Sequence, residues 1–197
     1  MEVYAFKFYI RKGGSLGICH NEILNDMSTS EVSSNIKTNN ESWYSSNLES
    51  YQDSIEDVVY CNDRSTLGLD ANSTFKYKVF DRYLNSDITL ACENDKDRYS
   101  ANTSVGNGKL TYPIGLITYD EAIMAGAKFG SSYLTESINY WTMTPSYIIY
   151  LFSIGTNGFE SKKNTESIYN RPVISIKTDD LLIVKGDGTG NNPFVLK

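Results

Sequence analysis

Asn139-Tyr140-Trp141-Thr142-Met143-Thr144-Pro145-Ser146, followed by the apolar run from Ile148 to Ile154 and by Gly155-Thr156-Asn157-Gly158, decides the fold. Short runs rich in aromatic and β-branched residues, bounded by turn residues, read as strands. Asn-Gly supplies the backbone freedom that a tight hairpin turn needs. The spacing predicts strands at Tyr140–Met143, Ile148–Ile154 and Phe159–Ser161, the last two joined as a hairpin. Further strands are predicted at Pro172–Lys177 and Leu181–Val184, followed by the turn-rich Gly186-Asp187-Gly188-Thr189-Gly190. From Tyr140 onward the chain reads as a β-meander that closes into a small twisted sheet with its hairpin tips facing outward.

Upstream the pattern is different. Val3 to Arg11 alternates and reads as a strand that ends at Gly13–Gly14. Ser28-Thr29-Ser30-Glu31 has capping-box spacing, and Val32, Ile36, Trp43 and Leu48 then share one face of a helix predicted from about Ser30 to Leu48. A short helical or extended piece follows through Tyr51, Ile55 and Val58. From Cys61 to Leu110 polar residues and Gly dominate, with apolar islands at Phe75–Leu84 and Ile88–Ala91. So long an irregular stretch in a compact domain is functional or held by cross-links. Cys61 and Cys92 bracket it, which favours a bridge between them. Leu110–Thr118 reads as a short strand interrupted at Pro113. Thr118-Tyr119-Asp120-Glu121 is a second capping box that opens a short helix from Glu121 to Lys128, with Gly126 and Gly130 as stop signals. The order of strand, helices, long loop region and meander is that of an α+β fold, with two or so helices on a small antiparallel sheet and long irregular loops.

Composition narrows the function classes. The 197 residues suffice for one domain with a real core. The net charge of −6 and the sequence pI near 4.8 leave no basic patch to displace counterions, so nucleic acid and anionic membrane surfaces are not expected partners. No apolar run approaches the length that spans a bilayer, so no membrane insertion is expected. Met1 to Gly14 lacks the pattern of a signal peptide, which leaves a cytosolic chain or a leader beyond this sequence. The 15 Tyr, 8 Phe and 2 Trp fit either a contact surface or half-buried strands.

Reactive groups are few. His20 is the single histidine and adjoins Cys19. Neighbouring side chains of an extended dipeptide point to opposite faces, so no catalytic pair is predicted there. Cys19, Cys61 and Cys92 leave three readings open: a Cys61–Cys92 disulfide, a zinc site with His20, or free thiols. Glu93, Asp95 and Asp97 alternate like a calcium loop but lack its glycine and bidentate glutamate, so a solvated acidic loop is expected. Asp120 and Glu121 are explained by capping and by the helix dipole. Trp141 reads as a core residue between the sheet and the first helix, or as an exposed stacking platform. Arg171 reads as a structural arginine paired with a carboxylate. No metal, cofactor or catalytic residue is predicted.

Several segments together carry a resemblance. They are Ser42-Trp43-Tyr44 with Asn47-Leu48, Cys61-Asn62-Asp63-Arg64-Ser65, Thr111-Tyr112-Pro113-Ile114-Gly115-Leu116-Ile117-Thr118, Asn139 to Ser146, Arg171-Pro172-Val173-Ile174-Ser175-Ile176, and Gly186-Asp187-Gly188-Thr189 with Asn192-Pro193. In this order the chain from Ser28 onward resembles a widespread family of surface-associated modules in low-GC Gram-positive gut bacteria. Its ending, with a Trp-x-x-x-Pro strand, a Gly-bearing hairpin and an Arg-Pro-Val strand, is similar to C-type-lectin-like domains. Formylglycine-generating-type modules and the variable proteins of diversity-generating retroelements share that ending. The resemblance implies a C-type-lectin-like domain over residues 28–197, with residues 1–27 as an N-terminal strand and connector. Family members usually carry further strands and a secretion or anchoring segment before this region, so the chain reads as a recut version.

What the resemblance implies about chemistry is mostly negative. No cysteine follows Cys92, so the copper-binding pair of formylglycine-generating enzymes is not carried over. Trp141-Thr142-Met143 lacks the carboxylates of calcium-dependent sugar lectins, and no Glu-Pro-Asn occurs. The ligand surface of such domains corresponds to loops around Ser146–Ile149, Thr156–Glu160 and Lys162–Ile168. Tyr147, Tyr150, Phe159, Asn164 and Tyr169 are therefore the contact candidates for a protein or glycan ligand. The expected function is a non-catalytic binding module at the cell surface or outside the cell. A structural subunit of a surface, pilus-like or phage-related assembly is one alternative, and an enzyme with an unrecognised site is the other, which a deep pocket lined by clustered carboxylates or by Cys19 and His20 would mark.

Overall fold

The computed structural model describes residues 35–69, 75–127, 132, 134–135, 137–147, 150–177, 183–186 and 195–196. The predicted strand at Val3–Arg11, the first capping box, Cys19, His20, Val32 and the turn from Asp187 to Gly190 lie outside them.

Three helices are present among the described residues: α1 (Asn35–Asn47), α2 (Lys78–Asn85) and α3 (Tyr119–Met124). In chain order the strands are β1 (Ile55–Glu56), β2 (Tyr60–Cys61), β3 (Thr66–Leu69), β4 (Phe75–Tyr77), β5 (Arg98–Tyr99), β6 (Gly115–Leu116) and β7 (Tyr140–Tyr147). They continue with β8 (Tyr150–Gly155), β9 (Gly158–Lys163), β10 (Pro172–Val173), β11 (Ser175–Ile176), β12 (Ile183–Lys185) and β13 (Val195–Leu196). The fold is mixed α and β, with small antiparallel sheets and few helices. Its largest sheet has five strands in the order β3-β4-β7-β8-β9.

The meander core of that sheet follows the sequence reading, with β7 and β9 longer than predicted. Thr156 and Asn157 form the turn between Gly155 and Gly158, and Gly158 takes a φ of 94° that favours glycine. A Cβ on Gly155 would lie 1.8 Å from Asn139 Oδ1, so a larger residue there would have to displace the Asn139 side chain. Strand β7 runs past the predicted end at Met143, through Pro145 to Tyr147. Its register with β8 shifts on both sides of Pro145, and such irregularity lets a sheet accept a residue without an amide hydrogen.

Both faces of the meander are covered. On one, Tyr140 and Ile154 pack with Ile117, Ala122, Ala127 and Leu134, while Phe152 packs with Tyr77, Val79 and Tyr119. On the other, Trp141 and Leu151 pack with Leu116, Ile36 of α1 and Ile168. A strand buried on both faces has no solvent side, which is why β8 reads as a near-continuous apolar run, while β7 buries Thr142, Thr144 and Ser146 as well. Trp141 is 1% exposed and lies against α1, so its core reading holds and the stacking platform does not.

Elsewhere the structure corrects the sequence reading. The sheet is not built from the last third alone, because β3 and β4 extend it through the pairing of Lys76 with Tyr147. The single strand expected at Pro172–Lys177 is two, and they go to different partners. Pro172–Val173 pairs with β6, and Ser175–Ile176 pairs with β1. The apolar island Phe75–Leu84 is a strand followed at once by α2, whose Ser86 cap takes a left-handed φ of 57°. The piece through Tyr51 and Ile55 is a 3-10 turn over Glu49–Ser54 running into β1. Helix α3 starts at Tyr119 and ends at Met124, and Thr118 and Glu121 complete the predicted capping box in both directions.

Candidate functional site

The contact candidates divide between two ends of the sheet. Tyr147 and Tyr150 face each other across the β7–β8 hairpin, ring centroids 6.3 Å apart in an edge-to-face arrangement. Phe80 of α2 braces Tyr147 with centroids 4.6 Å apart. All three residues are half-buried. One helical turn beyond Phe80, Leu84 is 62% exposed and extends the apolar strip.

Phe159 and Tyr169 belong to the opposite end. Phe159 pairs with Ile154, which pairs with Tyr140, which in turn bridges Tyr169 in parallel. Seven residues of β7 separate this row from Tyr147, a span of about 20 Å at strand rise. The Phe159 ring is turned inward onto Tyr119, centroids 4.6 Å apart, and onto Phe152. Tyr169 is 39% exposed. Asn164 follows β9 at the Tyr150 end but is 3% exposed, so its side chain lies inside the fold. Of the five candidates, Tyr147 and Tyr150 are in ring contact with each other.

The segment from Cys61 to Leu110 is organised around charge. Cys61 and Cys92 form a disulfide, Cα atoms 5.7 Å apart. Beside it, Arg82 of α2 grips Asp120 with two hydrogen bonds, Nε to Oδ1 at 3.1 Å and Nη2 to Oδ2 at 2.9 Å. The same Nη2 donates to Asp63 Oδ2. Asp63 also accepts from the Ser65 hydroxyl and amide, and Asp120 accepts from the Thr89 amide at 3.1 Å. A second pair lies nearby: Arg64 donates to Asp97 from its amide at 2.9 Å and from Nε at 2.6 Å. Buried carboxylates survive only when paired and fully hydrogen-bonded, and these three meet that condition.

Two expectations change here. Asp97 is not part of a solvated loop, since it is 2% exposed and bonded to Arg64, whereas Glu93 and Asp95 are exposed. Asp120 does not serve the cap of α3, which Thr118 and Glu121 complete without it; Asp120 reaches α2 instead. The signal for this network was the density of charge in Cys61-Asn62-Asp63-Arg64-Ser65, but its partners Arg82 and Asp97 are 19 and 33 residues away, and Asp120 lies a further 38 beyond Arg82. Among the described residues, no three His, Cys, Asp or Glu side chains group as metal ligands. No described helix is long and apolar enough to cross a membrane.

Arg171 lies over the Tyr140 ring, 4.7 Å from its centroid, and donates to the Leu134 carbonyl at 3.3 Å. Burial pulls its guanidinium down to about 10. The cluster around Tyr140 and Leu134 thus includes a half-buried cation held by a ring face and a carbonyl. Comparison with protein-family models, with curated proteins and with solved structures finds no match for this chain.

Proposed function

We propose that this chain is a non-catalytic binding module of C-type-lectin-like architecture, exposed at the cell surface, that holds a protein or glycan ligand at the Tyr147–Tyr150 end of its sheet. The observation that carries the reading is the edge-to-face tyrosine pair, braced by Phe80 on a strand pair packed on both faces. Tyrosine and phenylalanine rings offer large, rigid contact area at small entropic cost, and a rigid scaffold is where such residues serve recognition best. The buried charges support the same reading from the other side. Asp63, Asp97 and Asp120 are spent on internal ion pairs and hydrogen bonds, which makes them fastenings. The Cys61–Cys92 disulfide supports an oxidising compartment, the surface or beyond.

A glycan and protein array probed with the wild-type chain and with the Tyr147→Ala/Tyr150→Ala double variant tests this. The reading predicts a specific signal for wild type and at least about a tenfold loss in the double variant, with its thermal unfolding still cooperative. Equal binding by both proteins, or no signal from wild type on either array, overturns it. A structural-subunit role is the second reading, and it is favoured by the outer edge of β9, with which no described strand pairs.

A further inference from the structure

Strand β9 ends the five-stranded sheet on one side, and no described strand pairs with its outer edge. A two-residue turn joins β8 to β9, so Gly155 and Gly158 are the first hydrogen-bonded pair, and bonded pairs then alternate along the ladder. Gly158, Glu160 and Lys162 therefore turn their amide and carbonyl groups toward β8. Phe159, Ser161 and Lys163 turn theirs outward. Lys163 is satisfied by the next turn: its amide donates to Glu166 Oε1 at 3.0 Å and its carbonyl accepts from the Glu166 amide at 2.9 Å. The outward amides and carbonyls of Phe159 and Ser161 have no partner among the described residues. Unpaired edge groups of this kind are a template for another strand.

The side chains specify which strand. Glu160 and Lys162 stand two residues apart on the same face of β9 and pair with each other at 2.8 Å. Let two copies of β9 run antiparallel with Ser161 opposite Ser161. Each Glu160 then faces Lys162 of the other copy, twice, in the closely spaced non-hydrogen-bonded positions. The two Ser161 residues exchange a pair of backbone hydrogen bonds on the two-fold axis, and Phe159 falls opposite Lys163 of the other copy, so bonding there requires Lys163 to release the Glu166 contacts that now satisfy it. A register with Glu160 on the axis places like charges opposite each other and is disfavoured. We propose that this chain self-associates through β9, forming a two-fold dimer in which two five-stranded sheets become one of ten. The ion pairs that β9 now makes within itself are exchanged for pairs across the axis, so the charge pattern sets the register as well as the partner.

This inference stands apart from the ligand reading, because Tyr147 and Tyr150 take no part in the edge. Sedimentation of the full chain over its soluble concentration range gives the test, with circular dichroism to confirm folding. Wild type is expected to show a concentration-dependent dimer. Lys162→Glu and Glu160→Lys each set like charges across the axis and should weaken that dimer by about tenfold or more. A 1:1 mixture of the two single variants restores every opposite-charge contact and should recover a heterodimer of near wild-type strength. Ser161→Pro, which removes an outward amide and leaves the β8 ladder intact, should also weaken it. Tyr147→Ala/Tyr150→Ala should leave it unchanged. A wild type that stays monomeric throughout, single variants that dimerise like wild type, or a mixture that fails to recover would each overturn the proposal.

Discussion

The meander from Tyr140 to Lys163 and the segment from Cys61 to Leu110 are similar in size of task and opposite in means. The meander is held by consecutive ladder hydrogen bonds and by apolar side chains on both faces. The earlier segment has short strands and one short helix, and it is fastened by a disulfide, by Arg82 with two aspartates, and by Arg64 with a third. Apolar packing is non-directional and cooperative, so the meander should respond to damage as a unit. Ion pairs and a cross-link act at points, so the earlier segment should loosen locally when one of them is cut.

Five measurements break or sharpen this contrast, taken from the largest expected effect downward. Phe152→Ala removes a ring packed among Tyr77, Val79, Tyr119 and Phe159 and should cost about 4 kcal/mol, read as a lower urea midpoint with one cooperative transition. Reduction of Cys61–Cys92 by a dithiol frees a loop with a sequence separation of 31 and should cost about 3.5 kcal/mol. Hydrogen exchange should then accelerate between Cys61 and Leu110 and stay slow in β7 and β8; uniform acceleration would erase the distinction between the two regions.

Arg82→Ala strands Asp63 and Asp120 without their cation and should cost about 3 kcal/mol. Arg82→Lys, which cannot make the forked contact, should recover only part of that loss.

Alkaline pH tests both regions together. Burial pushes the Tyr77 hydroxyl of the earlier segment up to about 12, and burial also raises Tyr60 just before that segment and Tyr119 beneath the meander. A folded pKa above the unfolded value of 10.0 means that the unfolded chain loses its protons first. Stability is therefore full below pH 10 and declines from there to the folded pKa, by about 1.4 kcal/mol per pH unit for each such tyrosine. A fraction of the tyrosinate absorbance that appears only in step with loss of near-ultraviolet circular dichroism is the expected outcome; ionisation of all 15 tyrosines with the fold intact would contradict it. The smallest effect is Thr118→Ala, which removes the cap of α3 and should cost about 1 kcal/mol, visible as a small shift in thermal midpoint.

How much was legible follows the same division. The β8–β9 hairpin could be read from Gly155-Thr156-Asn157-Gly158 because turn chemistry is local. The cap of α3 could be read from Thr118 and Glu121 because both partners lie within four residues. Helix α2 was missed although Val79 and Tyr83 stand one turn apart, since eight residues directly after a strand give the periodicity little room. Asp97 read as solvated because its alternation with Asp95 and Glu93 says nothing of Arg64, 33 residues earlier. Among the ligand candidates, Asn164 read as surface because it follows a strand, and its burial depends on how the chain after β9 turns back across the sheet.

By itself, then, the sequence determined the elements whose hydrogen bonds close within a few residues: a capped helix, a tight hairpin, and strands apolar enough to be covered on both faces. Only the tertiary structure decided partners: that Pro172–Val173 and Ser175–Ile176 pair with different strands, that Arg82 joins Asp63 to Asp120, and that the tyrosines of the tail fall at opposite ends of one sheet. The physical reason is reach. Local propensity acts over one turn of chain, whereas a strand edge or a buried charge is satisfied by whichever complementary group the packed core brings to it.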